Sequence, residues 1–247
     1  INEDAIFIWP EGVIPNLNLN SLKDKYELLL KKSFSKKHYI ILGINDEEIA
    51  DGKQKIYNSL SIIDREANVL HKYYKNKLVP FGEFLPLENI LSKIGFKVLT
   101  NNYQSYSAGS ERILFNFRSN IKILPLICYE IIYSGKLSKD NNYDFIVNIS
   151  EDGWFGNSIG PYQHFTHSIF RSIETGKYTL RSANNGISGI VDPTGSVIDK
   201  ININNEGVIS IKEIANVNKT LFSSHGNKIY FLIILLYIFL IFSFKKT

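Results

Sequence analysis

Sulfur is almost missing from this chain: its 247 residues include one cysteine, Cys128, and no methionine. A lone thiol forms no internal disulfide, which excludes a disulfide scaffold and leaves Cys128 to packing or to reaction. One Cys and five scattered His, with no CxxC or HExxH spacing, argue against a metal site. His164 and His167 in "HFTH" stand i,i+3 without a third candidate ligand nearby, and read as helix surface. Charge of one sign is not in large excess. The net charge is +4, and lysines interleave with acids instead of forming a stripe, so nucleic acid is not an expected partner. Low-complexity tracts are absent too, and 44% hydrophobic with 21% charged residues is the composition of a globular chain. No charged n-region with an h-region opens the sequence, so no signal peptide is visible. The chain runs almost directly into "AIFIW" and reads as the downstream part of something longer.

What is present is a series of Ile-, Val-, Phe- and Tyr-rich runs bounded by turn residues. They predict strands at Ala5–Trp9, His38–Ile44, Ile56–Ile63, Ile121–Cys128, Phe145–Ile149, Tyr178–Ala183, Ile187–Asp192 and Val197–Ile201. "VDPTGSVI" predicts a hairpin, with Pro193 presetting φ and Gly195 at the positive-φ position. Helical periodicity covers Leu22–Lys32 and Pro161–Glu174. The second helix places Phe165, Ile169, Phe170 and Ile173 on one face, and Gly176 serves as its C-cap. Strands alternating with helices predict an α/β fold with a large sheet or two stacked sheets.

The run from Ile229 to Phe244 is apolar or aromatic except for Ser243. As a helix it spans about 24 Å at ~1.5 Å per residue, a little short of a hydrocarbon core of ~30 Å. Lys228 and Lys245 at its ends suit snorkelling. No polar face is visible, which favours a membrane span over a core helix. Lys245 and Lys246 point to a cytoplasmic C-terminus, with residues 1–227 on the outer side.

Three segments carry groups suited to acyl chemistry. Cys128 closes "IKILPLIC"; inside the strand it would be inert, but at a strand end its thiol reaches the sheet rim. Glu11 follows "IFIWP" in apolar surroundings, which raise a carboxyl pKa towards that of a general base. Lys75 and Lys77 precede an apolar turn, and spacing alone does not choose between them; Glu83 follows that turn. A cation beside a developing oxyanion contributes on the order of 3 kcal/mol.

Taken in order, "WPEGVIP", "KNKLVPFGEFLPLE", "ICYEII", "DGWFGNSIGPYQHF" and "LRSANNGISGIVDPTG" resemble the nitrilase-like domain of the bacterial apolipoprotein N-acyltransferase family. The match runs from about Ala5 to Lys200, and a C-terminal membrane helix follows the domain in that family as well. The resemblance implies a nitrilase-like α-β-β-α sandwich, incomplete at its N-terminus, followed by one C-terminal transmembrane helix. In residue ranges this is a catalytic carbon–nitrogen hydrolase domain at 1–215, a linker at 216–227, the transmembrane helix at 228–244 and a cytoplasmic tail at 245–247. It further implies Glu11 as general base, Lys75 as stabiliser of the tetrahedral intermediate and Cys128 as nucleophile, with Glu83, Tyr129 and Glu130 supporting the site. The implied reaction moves an acyl chain from a membrane phospholipid, through a Cys128 thioester, to the N-terminal amine of a diacylglyceryl apolipoprotein, without cofactor or metal. The implied location is the bacterial inner membrane, with the catalytic domain on the periplasmic side.

The apolar stretch from Phe84 to Ser107, with Phe96, and the Trp154–Phe155 loop are candidates for lids over the acyl pocket or for core packing. Family members carry membrane helices, and one further strand and helix, ahead of the WPE strand, so the chain reads as a fragment or a decayed product. Two rivals use the same residues: an amidase acting on a small amide, and an inactive membrane-tethered remnant.

Overall fold

The computed structural model describes residues 3–50, 52–98, 105–118, 121–135, 137–138, 142–215 and 220–244. Two sheets are stacked. The first has the order β1-β2-β3-β4, from β1 (Ala5–Ile8), β2 (His38–Ala50), β3 (Lys53–Ile63) and β4 (Val69–Tyr74). β1 runs parallel to β2, and the rest is an antiparallel meander. The second has the order β10-β9-β8-β7-β6-β5, from β5 (Phe115–Phe117), β6 (Ile121–Ile127), β7 (Phe145–Glu151), β8 (Tyr178–Asn184), β9 (Ser188–Val191) and β10 (Val197–Ile201). Its centre, β6-β7-β8, is parallel, and the flanking pairs are antiparallel.

Strand alternation sorts the apolar residues into layers. Tyr39, Ile41, Leu60 and Ile62 from the first sheet meet Ile123, Ile127, Val147 and Ile149 from the second in the central core. Ile40, Leu42 and Ile44, one residue out of phase, turn to the opposite face and bury Leu22 and Leu30 of helix α1 (Leu22–Ser33). On the outside of the second sheet, Leu124, Leu126 and Ile146 form one cluster, and Phe165 with Ile187 and Val191 another. A single helical turn, α2 (Glu88–Leu91), comes between the sheets in chain order, and Phe165 belongs to the longer helix α3 (Gly160–Thr175). The architecture is therefore the α-β-β-α sandwich that the motifs imply.

Several elements differ from expectation. β2 and β3 continue well beyond Ile44 and Ile56 as a hairpin arm, because pairs such as Glu48 with Lys55 support a polar ladder that reads as a turn in sequence. β4 and β5 were not expected: β4 mixes His71 and Lys72 with exposed Val69 and Leu70, and β5 has three residues. β6 ends at Ile127, so Cys128 lies outside the strand. α3 buries His164, Ser168, Arg171, Ser172 and Thr175 beside Phe165, while Phe170 and Ile173 are exposed. Small side chains let the helix approach closely, and the Arg171 guanidinium donates to the carbonyls of Ile131 and Ile132. Gly176 caps the helix at φ 67°, and Gly195 takes φ 89° in the β9–β10 hairpin, as expected.

Within the expected linker, residues 216–219 lie outside the described residues. Thr220 caps a short helix, α4 (Leu221–His225), and its hydroxyl donates to the Glu174 carbonyl at the end of α3. Helix α5 (Lys228–Phe244) has 17 residues, none buried. No helix among the described residues is long and apolar enough to cross a membrane. The expected tail at 245–247 lies outside the described residues.

Gly43 in β2 lets the chain carry Glu11 across the sheet. A Cβ at this position would come 2.5 Å from the Glu11 Cα and 2.8 Å from the Ile149 Cδ1. The bare glycine leaves room for the segment after β1 to cross β2, where the Gly43 N–H donates to the Pro10 carbonyl at 3.1 Å. Gly43→Ala is expected to cost about 1–3 kcal/mol by overpacking. At about 2–4 °C per kcal/mol for a chain of this size, calorimetry should find a lower melting temperature. An unchanged melt would show that the crossing has slack.

Candidate active site

Glu11, Lys75 and Cys128 each follow the carboxyl end of a strand: β1, β4 and β6. The first two come from one sheet and the third from the other, and they meet at one end of the sandwich. Lys75 Nζ lies 3.8 Å from Glu11 Oε1 and donates to Glu83 Oε1 at 2.9 Å. Asn58 Nδ2 bridges the two carboxylates, donating to Glu11 Oε1 at 2.6 Å and Glu83 Oε1 at 2.9 Å. Glu11 Oε2 accepts the Glu151 backbone N–H at 2.8 Å, which ties the first sheet's site arm to the second sheet. Lys75 is 1% exposed, whereas Lys77 is exposed to solvent, so the ambiguity between them is resolved in favour of Lys75 as the lysine inside the cluster.

Electrostatics couple the three groups. Burial raises the Glu11 carboxyl above its ordinary value, with Lys75 opposing and Glu83 adding to the rise. Burial acts to lower Lys75, but Glu11, the Cys128 sulfur and Glu83 outweigh it and keep the ammonium charged. The Cys128 thiol is pushed up to about 12, first by burial and then by Glu11; Lys75, the Ser150 hydroxyl and Arg181 pull the other way. A carboxylate poised to take a proton, a thiol that needs one removed, and a fixed cation beside them are the components of nucleophilic acyl chemistry.

Local structure sets the sulfur. Cys128 opens a 3₁₀ turn, Cys128–Ile132, at φ 48°, a left-handed conformation that costs a non-glycine residue about 1–2 kcal/mol. Glu130 holds that turn. It is fully buried, and its Oε2 accepts the Ile127 N–H at 3.0 Å. Its Oε1 accepts the Tyr73 hydroxyl at 2.7 Å and the N–H groups of Asn76 and Lys77 at 3.0 and 3.1 Å. One carboxylate thus joins the cysteine turn to the lysine loop. Glu83 pins the other side of that loop, its Oε2 accepting the Val79 N–H at 2.9 Å. Tyr129 is partly buried and packs edge-on against Tyr133. Phe96, Trp154 and Phe155 are 52%, 57% and 40% exposed, so they lie outside the core.

A second polar group was missed in sequence. His164, read as helix surface, is buried, with Nδ1 2.9 Å from Asp152 Oδ1 and Nε2 3.3 Å from the Cys128 carbonyl oxygen. Arg181 Nη2 donates to both Asp152 oxygens at 3.0 and 2.8 Å, and its Nη1 donates to Asn148. Ser150 Oγ donates to Asp152 Oδ1 at 2.7 Å. The available signal was an arginine at the centre of an alternating strand and an aspartate just past the end of another. Among the described residues no group of three or more His, Cys, Asp or Glu is arranged to hold a metal ion.

A two-sheet sandwich that gathers Glu, Lys and Cys at its strand ends brings together groups suited to amide and acyl chemistry. Residues 6–217 match the carbon-nitrogen hydrolase family model, and the chain belongs to that family. It is 38% identical over 229 residues to the apolipoprotein N-acyltransferase of Rickettsia typhi, covering 90% of this chain and 44% of that protein. With the apolipoprotein N-acyltransferase of Wigglesworthia glossinidia brevipalpis it shares 40% identity over 215 residues, covering 81% of this chain and 40% of that protein. The chain thus spans less than half the length of these relatives. Its fold is similar to that of the Nesterenkonia sp. AN1 amidase, in a form with an acetamide moiety covalently added at the active-site cysteine. That comparison has a TM-score of 0.53 at 11% identity, over 80% of this chain and 73% of the amidase. The glutamine-dependent NAD+ synthetase of Acinetobacter baumannii aligns with a TM-score of 0.57 at 17% identity, over 82% and 38% of the two chains.

The buried histidine gives a pH expectation. His164 is held below its ordinary 6.5, chiefly by burial, with Asp152 opposing and Arg181 reinforcing the fall. Below that value the unfolded chain binds a proton that the folded chain refuses, so this contribution to stability falls as pH falls. Burial alone would raise Asp152, but His164 and Arg181 hold it down to about 2, so its contribution is lost only below its ordinary 3.8. Melting temperatures between pH 7 and 5 should therefore fall less steeply in His164→Gln than in the parent. Parallel slopes would refute a neutral, buried His164.

Proposed function

We propose that this chain carries the acyl-transfer centre of an apolipoprotein N-acyltransferase. The observation that carries the reading is the meeting of Glu11, Lys75 and Cys128 in one buried cluster, in a chain 34–40% identical to proteins of that name. Glu11 takes the thiol proton. The Cys128 thiolate attacks the ester carbonyl of a membrane phospholipid, and Lys75 stabilises the oxyanion. Collapse leaves a Cys128 acyl-thioester and releases a lysophospholipid, its alkoxide taking the proton back from Glu11. The amine of a diacylglyceryl-cysteine at an apolipoprotein N-terminus then attacks the thioester, giving up a proton to Glu11, and the sulfur leaves. Splitting the transfer this way holds the chain covalently between two lipid substrates. Glu83 and Glu130 act by fixing Lys75 and the Cys128 turn, and Tyr129 lines the same turn. No metal or organic cofactor takes part.

Lipid substrates require a site at a bilayer surface. α5 supports such a placement: apart from Ile234, its large apolar side chains from Tyr230 to Phe244 are exposed. With flanking residues it serves as the anchor of a bacterial inner-membrane protein whose catalytic domain faces the periplasm. A second exposed apolar surface is formed by Leu87, Ile90, Ile94 and Phe96, which suits contact with acyl chains.

Incubation of the detergent-solubilised chain with labelled phospholipid should add one acyl group to the Cys128 peptide, detected by mass spectrometry. Cys128→Ser should form no thioester, and Glu11→Gln should slow acylation by about 10²–10⁴-fold. Hydrolysis of a small amide without any acyl-thioester would favour the amidase reading instead. If Phe96 and Trp154 cover the acyl pocket, Phe96→Ala and Trp154→Ala should slow acyl transfer while leaving the melting temperature unchanged. Unaltered transfer would remove the lid assignment.

A further inference from the structure

The Asp152 network reaches Cys128 from the second sheet, whereas Lys75 comes from the first, and no step of the acyl transfer uses it. β6 and β7 pair in parallel with Ile127 beside Ile149, which sets Ser150 next to Cys128 at the strand ends. Ser150 is fully buried, its hydroxyl lies 2.7 Å from Asp152 Oδ1, and from its place beside Cys128 in the strand register it acts to lower the thiol pKa. A hydroxyl has one proton and a freely rotating O–H, so it donates to one of these neighbours at a time. Asp152 does not depend on that bond. Arg181 Nη2 donates to both its oxygens, and its backbone N–H donates to the Asn184 carbonyl at 2.9 Å. The base of the network is rigid, since Arg181 also binds the Ile187 carbonyl at 3.2 Å, and His164 spans from Asp152 to the Cys128 carbonyl.

We propose that Ser150 is a further catalytic residue, whose hydroxyl turns from Asp152 to the Cys128 sulfur when the thiolate forms. The proton removed from sulfur goes to Glu11, and the Ser150 proton stays on its own oxygen and only changes acceptor. The thiolate gains a donor in a pocket that otherwise opposes negative charge, and Asp152 keeps its two arginine bonds. Asp152, Arg181 and His164 are positioning residues that fix the oxygen between its two acceptors. The charged and titratable groups facing the sulfur are Glu11 and Lys75 from the first sheet and Arg181 from the second, with Asp152 and His164 beyond Ser150.

This inference rests on Cys128 being the nucleophile, and one set of measurements separates the two ideas. The rate of iodoacetamide alkylation of Cys128 is followed from pH 6 to 10 in the full chain. Parent, Glu11→Gln, Ser150→Ala, Ser150→Thr and Ser150→Val are compared, each with its melting temperature. A hydrogen bond to a charged group implies that Ser150→Ala labels about tenfold more slowly at pH 8, with its profile displaced to higher pH. Thr and Val have the same shape, so any crowding is shared; Thr, which keeps the hydroxyl, should label about tenfold faster than Val. Equal rates for Thr and Val, or an Ala profile superimposed on the parent's, would overturn the role of Ser150. Equal, slow labelling of parent and Glu11→Gln would instead overturn Cys128 as an activated nucleophile.

Discussion

A lysine ammonium at 1% exposure must be neutralised where it sits, and the end of this sandwich is arranged around that requirement. Glu83 meets Lys75 directly, Glu11 stands at 3.8 Å, and Asn58 keeps the two carboxylates from facing each other bare. Burial first, and Glu83 after it, make Glu11 reluctant to ionise although Lys75 pulls the other way, which leaves it a capable proton acceptor. The same burial that makes the ion cluster costly makes its charges effective, because water is not there to screen them.

Buried carboxylates also do the mechanical work around the cluster. Glu130 links the Cys128 turn with the Asn76–Lys77 backbone, and Glu83 folds back onto Val79. Each spans a gap between loops that no strand ladder closes. Their removal would leave four backbone N–H groups without these acceptors, and for the fully buried one, at Ile127, the cost is about 1–3 kcal/mol. Asp152 and Arg181 form a second closed unit, which His164 joins to the Cys128 carbonyl. Cys128 therefore sits between two polar frames, in a backbone conformation that it would not choose alone.

Alternation and turn residues are local signals, and they made most of the strands readable while leaving one large sheet and two stacked sheets both open; the sandwich followed from the resemblance carried by the five motifs. Most of the strands carry dense Ile, Val, Phe and Tyr, and the order of the five motifs supplied the topology. The extension of the β2–β3 hairpin was hidden because its outer half is built from polar pairs, such as Glu48 beside Lys55 and Gln54 donating to Glu47, that look like a surface turn. His164 was misplaced for a related reason: on α3 the buried face is made of Ser168, Ser172 and Thr175, so a hydrophobic periodicity points at the wrong side. Nothing in the spacing distinguished Lys75 from Lys77; only the end of β4, itself unexpected, turns one inward and the other to solvent. Ser150 and Arg181 gained meaning only through pairing between neighbouring strands, which sequence does not display.

The two sheets share no strand, yet Glu11 accepts a hydrogen bond from the backbone of β7, and Glu130 behind β6 reaches the loop after β4. At this end polar links lace the layers together beside the hydrocarbon of Tyr73, Ile127 and Ile149. A molecule lodged between Lys75 and Cys128 adds another stitch to that lacing. Its tightness of fit is then felt as resistance to sliding one layer over the other, along lengths of backbone it never touches.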